Sequence, residues 1–294
     1  MLDLQKLLKH LEQETGQTLQ QARLSSIGGG DINSAYQLQA SGHNWFIKVN
    51  SAHLLDMFVA EACGLQALAD SHTLRIPKTI THGSLQNHAY LVLEYIELSP
   101  LRGASLSRFG EQLAHLHKST QAYFGWTHDN TIGSTPQSNR QHADWISFWQ
   151  QERLAKQLQL AAADGYHGSL QTQGEKLLVK LASFFTDYQP YPSLLHGDLW
   201  GGNAAVDANG NPVIFDPACY FGDRETDIAM TELFGGFGAE FYAAYHATLP
   251  LDAGYKTRKT LYNLYHILNH LHLFGSGYLR QATSMIEQLL AELG

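Results

Sequence analysis

The sequence predicts an α+β chain of two lobes: a small N-terminal lobe with an antiparallel sheet and helices over residues 1–96, and a larger, mainly helical lobe over residues 97–294. Three observations carry that expectation. Between residues 22 and 49 lie three short β-patterned segments joined by glycine-containing turns. After residue 104 the apolar residues recur mostly at helical spacing. Within this second region stands a polar cluster, His196-Gly197-Asp198-Leu199-Trp200-Gly201-Gly202-Asn203, followed after a hairpin by Val213-Ile214-Phe215-Asp216-Pro217. A length of 294 residues is enough to bury a substantial core and corresponds to about two domains.

Taken in order, Leu4, Leu7, Leu8 and Leu11 predict an amphipathic helix over residues 2–15, stopped by Gly16. Residues 22–27, 34–40 and 45–49 read as strands. Gly28-Gly29-Gly30-Asp31 joins the first pair and Ser41-Gly42-His43-Asn44 the second. The third strand ends in Phe46-Ile47-Lys48-Val49, a lysine among apolar neighbours. A glycine run between paired strands lets backbone N–H groups approach phosphate oxygens, although the same run serves equally as a plain turn and does not match GxGxxG. Residues 57–68 follow as a helix with Glu61 in its early part. Pro77 opens an extended region, and residues 89–96 form an apolar strand interrupted only by Glu94. Residues 105–119, 144–163 and 170–188 read as helices, with a polar, glycine- and proline-punctuated loop over residues 125–141 between the first two. Residues 224–235, 237–248, 255–274 and 278–292 complete the helical lobe, without internal repeats or low-complexity tracts.

Composition excludes some functions. A formal charge of −8 and the lack of any basic run argue against a nucleic-acid binder, which draws affinity from clustered Lys and Arg. Sixteen histidines are many, but only His266, His270 and His272 are dense. His266 and His270 share a helical face without an HExxH glutamate, so polar surface or a satisfied core site is the better reading than zinc. Cys63 and Cys219 are isolated thiols, which suits a reducing compartment and buried packing. No segment has enough consecutive apolar residues to span a bilayer, and the N-terminus lacks the pattern of a signal peptide. A cytoplasmic chain without membrane or nucleic-acid partners, monomeric or weakly dimeric, is expected.

The polar cluster carries the chemistry. Phosphoryl transfer asks a protein for positioning and for hard oxygen ligands that hold magnesium against a nucleotide. In protein kinases an Asp takes the acceptor hydroxyl's proton, an Asn five residues later holds magnesium, and a further Asp after a hairpin holds it too. Asp198, Asn203 and Asp216 occupy those positions, with ATP and Mg2+ as the implied cofactors. A turn-former reading of His196-Gly197-Asp198 alone would be adequate, but the ordered set goes beyond it. A kinase also follows its glycine loop with a phosphate-binding lysine and a glutamate from the next helix, which Lys48 and Glu61 match. The fold so implied is bilobal and protein-kinase-like. Glycines 28, 29 and 30 (Gly28, Gly29, Gly30) then approach phosphates, and Glu94, Tyr95 and Ile96 form the hinge beside adenine, although a plain core strand would look the same.

Only six residues separate Asp216 from Asp223, which leaves little room for a peptide platform and favours a small-molecule acceptor. Asp223 is placed to cap a helix. Together with Phe215-Asp216-Pro217-Ala218-Cys219-Tyr220-Phe221-Gly222-Asp223-Arg224-Glu225-Thr226-Asp227, the cluster resembles the fructosamine kinase (ketosamine-3-kinase) family, within the aminoglycoside-phosphotransferase-like superfamily. The similarity spans nearly the whole chain. It implies ATP-dependent phosphorylation of the sugar 3-hydroxyl of a ketosamine or other glycated amine, giving a product that decomposes and frees the amine. Asp198 would act as base, Asn203 and Asp216 would hold magnesium, and Lys48 would engage the α- and β-phosphates. Trp200 either stacks on the acceptor or packs as a core aromatic. Arg224 and Asp227 read as internal scaffold. Some family members carry a Cys in the glycine loop that is tied to redox-controlled dimers; residues 25–34 have none, so no redox switching is expected. A related aminoglycoside, choline or sugar kinase is the alternative within this chemistry, and a non-catalytic nucleotide-binding protein is the alternative outside it.

Overall fold

The computed structural model describes residues 4–28 and 33–294. Helix α1 (Leu4–Thr15) precedes strands β1 (Arg23–Ile27), β2 (Ser34–Ala40) and β3 (His43–Ser51). Helix α2 (Leu55–Asp70) follows, then β4 (Thr79–Leu85) and β5 (His88–Glu94). The five strands form one antiparallel sheet in the order β1-β2-β3-β5-β4. Strand alternation sorts β3 into two faces. Trp45, Ile47 and Val49 pack with Leu7 and Leu11 of α1, which makes one small core. Phe46 and Lys48 face the other way, towards α2 and the second lobe. The β2–β3 turn is tighter than expected from the sequence, since His43 and Asn44 already belong to β3.

The second region is mainly helical. Helix α3 (Ala104–Leu116) packs against α8 (Ala239–Thr248), with Phe109, Leu113, Phe241 and Tyr245 in a core that continues up to Phe58 and Leu65 of α2. A separate core gathers α9 (Tyr255–Phe274), α10 (Leu279–Glu292) and α6 (Ser169–Lys180). The span expected as one helix over residues 144–163 divides into α4 (Trp145–Phe148), a π-helical turn (Trp149–Leu154) and α5 (Ala155–Ala163). The expected loop over residues 125–141 contains a hairpin, β6 (Asn130–Ile132) and β7 (Thr135–Gln137). Strands β8 (Ser193–Leu195), β9 (Ala204–Val206), β10 (Pro212–Ile214) and β11 (Tyr220–Gly222) surround the polar cluster, and α7 (Glu225–Leu233) follows. Two backbone bridges join this hairpin region to the chain beside the sheet: Ser99 and Val206 exchange both N–H groups at 2.9 and 2.8 Å, and Arg75 pairs in parallel with Val213. No helix among the described residues is long and apolar enough to cross a membrane.

Candidate active site

Between sheet and helices lies a cavity of about 1040 Å³, lined from both. Its sheet end includes Gly28, Phe46, Lys48, Leu93 and the segment 94–96, so the expected hinge borders it. The Glu94 carboxylate pairs with Arg75, and the Tyr95 N–H donates to the Asn44 carbonyl at 3.1 Å. The Tyr95 N–H is therefore already engaged within the protein, as is that of Glu94, which donates to the Lys78 carbonyl at 2.8 Å. Gly29 and Gly30 lie outside the described residues.

Lys48 is buried and bridges two carboxylates, Glu61 at 2.7 Å and Asp216. Burial alone would lower the lysine's pKa, but the two adjacent negative charges raise it above the usual value, so the ammonium stays charged. The sequence thus brings together side chains 168 residues apart. Asp216 has φ 56°, a left-handed conformation that Asp tolerates better than most residues. Such strain persists only where the surroundings over-determine it. The surroundings are tight here. Phe215 N–H donates to the Asn203 carbonyl at 3.1 Å, and Ala218 N–H donates to the His196 carbonyl at 2.9 Å.

The loop after β8 carries Asp198. His196 is fully buried, and burial pushes its imidazole below the usual range, so it is neutral. Its two nitrogens then have distinct duties: Nε2–H donates to the Phe215 carbonyl at 2.9 Å, and Nδ1 accepts from Asp198 N–H at 3.3 Å. Asp227, on α7, accepts from the backbone N–H groups of His196 (2.8 Å) and Gly197 (2.9 Å) and from His117 Nε2 (3.2 Å). Burial would raise its pKa, yet the hydrogen bond and charge of His117 and the Gly197 N–H bring it below the ordinary value. Gly197 sits at φ 83°, and a Cβ there would lie 2.0 Å from the Ala218 oxygen, so no other residue fits. Asp227 and Arg224 are scaffold as expected; Arg224 donates to the carbonyls of Leu249 and Pro250. Asp223 accepts from Glu225 N–H at 3.0 Å at the start of α7.

Asn203 donates from Nδ2 to both the carbonyl (2.9 Å) and the carboxylate (3.1 Å) of Asp198. Its Oδ1 is left without a partner among the described residues. Burial, followed by the charge of Asp216, pushes the Asp198 carboxyl up to about 7 despite the Asn203 bond. Two carboxylates that repel across a cavity, with an unspent amide oxygen beside them and Asp216's side chain 46% exposed, make a hard-oxygen donor set. That set suits magnesium, which needs few protein ligands when phosphates and waters complete its octahedron.

The far end of the cavity is aromatic. Trp200, 39% exposed, folds its indole over Gly202, where a Cβ would lie 2.3 Å from the ring. Phe234 lies 6.1 Å from Trp200 between ring centroids, His270 lies 5.0 Å from Phe234, and Phe274 lies 5.2 Å from His270. Residues 130–134 of the β6–β7 hairpin form a further wall. Sequence reading missed Phe234 and Phe274, although His266, His270 and Phe274 recur at intervals of four on α9 and could have signalled a shared face. His266 is buried, and burial followed by the neighbouring His270 pushes it down to about 3, so it serves as a neutral wall residue.

The sequence model of the fructosamine kinase family matches residues 3–292. A Synechocystis sp. protein named "probable ketoamine kinase" is 46% identical over 97% of this chain and 96% of its own length. The chloroplastic protein-ribulosamine 3-kinase of Arabidopsis thaliana is 42% identical over 95% of this chain and 86% of its own. Among solved structures, a Haemophilus somnus protein assigned as a fructosamine-3-kinase superposes with a TM-score of 0.89 at 28% identity, covering 98% of this chain and 97% of that one. An aminoglycoside phosphotransferase crystallised with ADP and hygromycin B gives 0.65 at 16% identity over 97% and 98% of the two chains, a likeness of the bilobal protein-kinase-like fold alone. With a family match over residues 3–292 and relatives above 40% identity over 97% and 95% of its length, the chain belongs to the fructosamine kinase family.

Proposed function

We propose that this protein is an ATP-dependent ketosamine 3-kinase, transferring the γ-phosphoryl group to the 3-hydroxyl of a sugar joined to an amine. The carrying observation is the single cavity in which the Lys48–Glu61–Asp216 cluster, the Asp198–Asn203 pair and the aromatic mouth meet. Adenine would lie against residues 94–96 and the phosphates against Lys48, which Glu61 holds in place. Asn203 Oδ1 and Asp216 would hold magnesium, which would supply positive charge against the negative charge that develops on the transferring phosphate. Lys48 would give up its contact with Asp216 for phosphate oxygens. Asp198 would accept the proton of the acceptor hydroxyl as that oxygen bonds to phosphorus and the bond to ADP breaks. The relatives named as ketoamine and ribulosamine 3-kinases support the acceptor class, and the exposed Trp200 offers the sugar or its amine a flat apolar face.

A substrate panel tests the reading. The purified protein, ATP and Mg2+ are given fructose and ribulose adducts of lysine, choline and an aminoglycoside, with products located by phosphorus NMR. Phosphate on O3 of a ketosamine is expected. Turnover of choline or the aminoglycoside without ketosamine turnover would overturn the acceptor assignment, and equal turnover by Asp198→Asn would overturn the catalytic one.

A further inference from the structure

The β6–β7 hairpin carries a buried polar set that the proposed reaction does not use. Asn130 and Gln137 face each other across its two strands, and both are at least nine-tenths buried, as is Asn139 just beyond. Asn130 Nδ2 donates to the Cys219 carbonyl at 2.8 Å. Gln137 Nε2 donates to Asn130 Oδ1 at 2.7 Å and reaches the Ala218 carbonyl at 3.4 Å. Behind them, Tyr265 donates to Gln137 Oε1 at 2.6 Å, and Asn139 donates to Asn130 Oδ1 at 3.1 Å. Arg153, fully buried, holds Asn139 Oδ1 at 2.7 Å and the Ser138 carbonyl at 2.6 Å.

The two carbonyls served by this set belong to the residues directly after Asp216-Pro217. Residues 215–219 lie outside any strand or helix, and Ala218 and Cys219 are buried. Irregular buried backbone must find side-chain partners for its carbonyls, because each one left unmet costs about 1–3 kcal/mol. Pro217 contributes no N–H of its own. A hairpin that merely filled space would do so with apolar side chains and avoid burying several amides. The same segment also meets the Asp198 loop on its other side, through Ala218 N–H and the close approach of Gly197. It is therefore clamped between hairpin and loop, and Asp216 at φ 56° hangs from the clamp.

We infer that Asn130, seconded by Gln137, is a positioning residue for Asp216: its amide fixes the Ala218–Cys219 backbone so that the Asp216 carboxylate is presented to the metal. This rests on the assignment of Asp216 to magnesium made above. The hairpin then takes on a task for which the short span from Asp216 to Asp223 leaves no separate loop.

The test uses the full chain and reads Mn2+·ADP binding by electron paramagnetic resonance, with ADP binding without metal measured alongside by calorimetry. Asn130→Leu should weaken Mn2+·ADP about tenfold, as the loss of a buried hydrogen bond with its carbonyl left unmet implies, while ADP alone binds as before. Asn130→Ser, which is smaller and keeps a polar atom, should fold readily and shift binding in the same direction. Asp216→Asn is the control for the underlying reading. If it binds Mn2+·ADP like wild type, the metal assignment itself fails. If it loses the metal while both Asn130 variants keep wild-type affinity, only the positioning role fails. Equal weakening of ADP with and without metal would also overturn that role, since it would indicate general damage to the cleft.

Discussion

The loop bearing Asp198 and the aromatic mouth share one cavity and are held in opposite ways. The loop is fastened by buried polar bonds: His196 to Phe215, Asp227 to two backbone N–H groups, and Ala218 back to His196. The mouth is a row of rings in contact with one another, with Phe274 59% exposed and Trp200 and Phe234 each 39% exposed. Buried polar networks tolerate few alternatives because an unmet partner is costly, whereas exposed ring contacts are each worth about a kilocalorie and tolerate change. On the proposed reading, the reaction geometry would be confined by the interior, and acceptor choice would be left to a surface that can vary without disturbing it.

The largest expected effect tests the interior end. Asp198→Asn should lower kcat by about 10²–10⁴, the usual worth of a positioned base, with thermal unfolding retained. A loss of less than threefold in a saturated assay would remove Asp198 from the chemistry. The same carboxyl sets a pH limb. It titrates at about 7 in the free protein because of burial and the Asp216 charge, and the base must be deprotonated, so activity should rise with pH through its pKa. Magnesium at Asp216 would relieve the repulsion, so the limb in kcat measured at saturating Mg2+-ATP should fall below the titration of the metal-free carboxyl, followed by carbon-13 NMR. A limb that stays at the free value would contradict a metal at Asp216.

The next effect separates fastening from chemistry. Gly197→Ala forces a Cβ onto the Ala218 oxygen at a positive φ, and it should cost about 3 kcal/mol of stability in urea unfolding. Wild-type stability would mean the loop is looser than its bonds imply. The smallest effect belongs to the mouth. Phe274→Ala should leave urea unfolding within about 0.5 kcal/mol of wild type. It should raise the ketosamine KM by about threefold to tenfold with kcat unchanged. A kcat loss comparable to that of Asp198→Asn would erase the contrast between the two ends.

Legibility in the sequence followed the range of the forces involved. Helix α1, strands β1 to β3 and the Asp198–Asn203 spacing were readable because each depends on neighbours a few residues apart. The β6–β7 hairpin reads as a loop in the sequence, since its strands have three residues each, one includes Pro136, and their polar side chains find buried partners only in distant segments, among them Ala218, Cys219 and Tyr265. The π-helical turn at Trp149–Leu154 was unreadable for a related reason: it is defined by a change in backbone hydrogen-bond partner to i→i+5, which residue type does not specify. At the hinge, the pattern placed residues 94–96 beside the cavity but could not show that Tyr95 N–H is already engaged by Asn44.

By itself, the sequence determined the order of the elements, the residue types for phosphoryl transfer and the short span after Asp216, because local periodicity and fixed spacing express these directly. Only the tertiary structure decided that Lys48, expected from the sequence to pair with Glu61, also reaches Asp216, that Gly197 must be glycine, that aromatic rings from the Asp198 loop, the end of α7 and α9 meet at one mouth, and that a distant hairpin satisfies the carbonyls beside Asp216. Each of these is a meeting of segments distant in the chain: the polar ones are set by which buried groups must find partners once the core has closed, and the mouth by contacts between its rings.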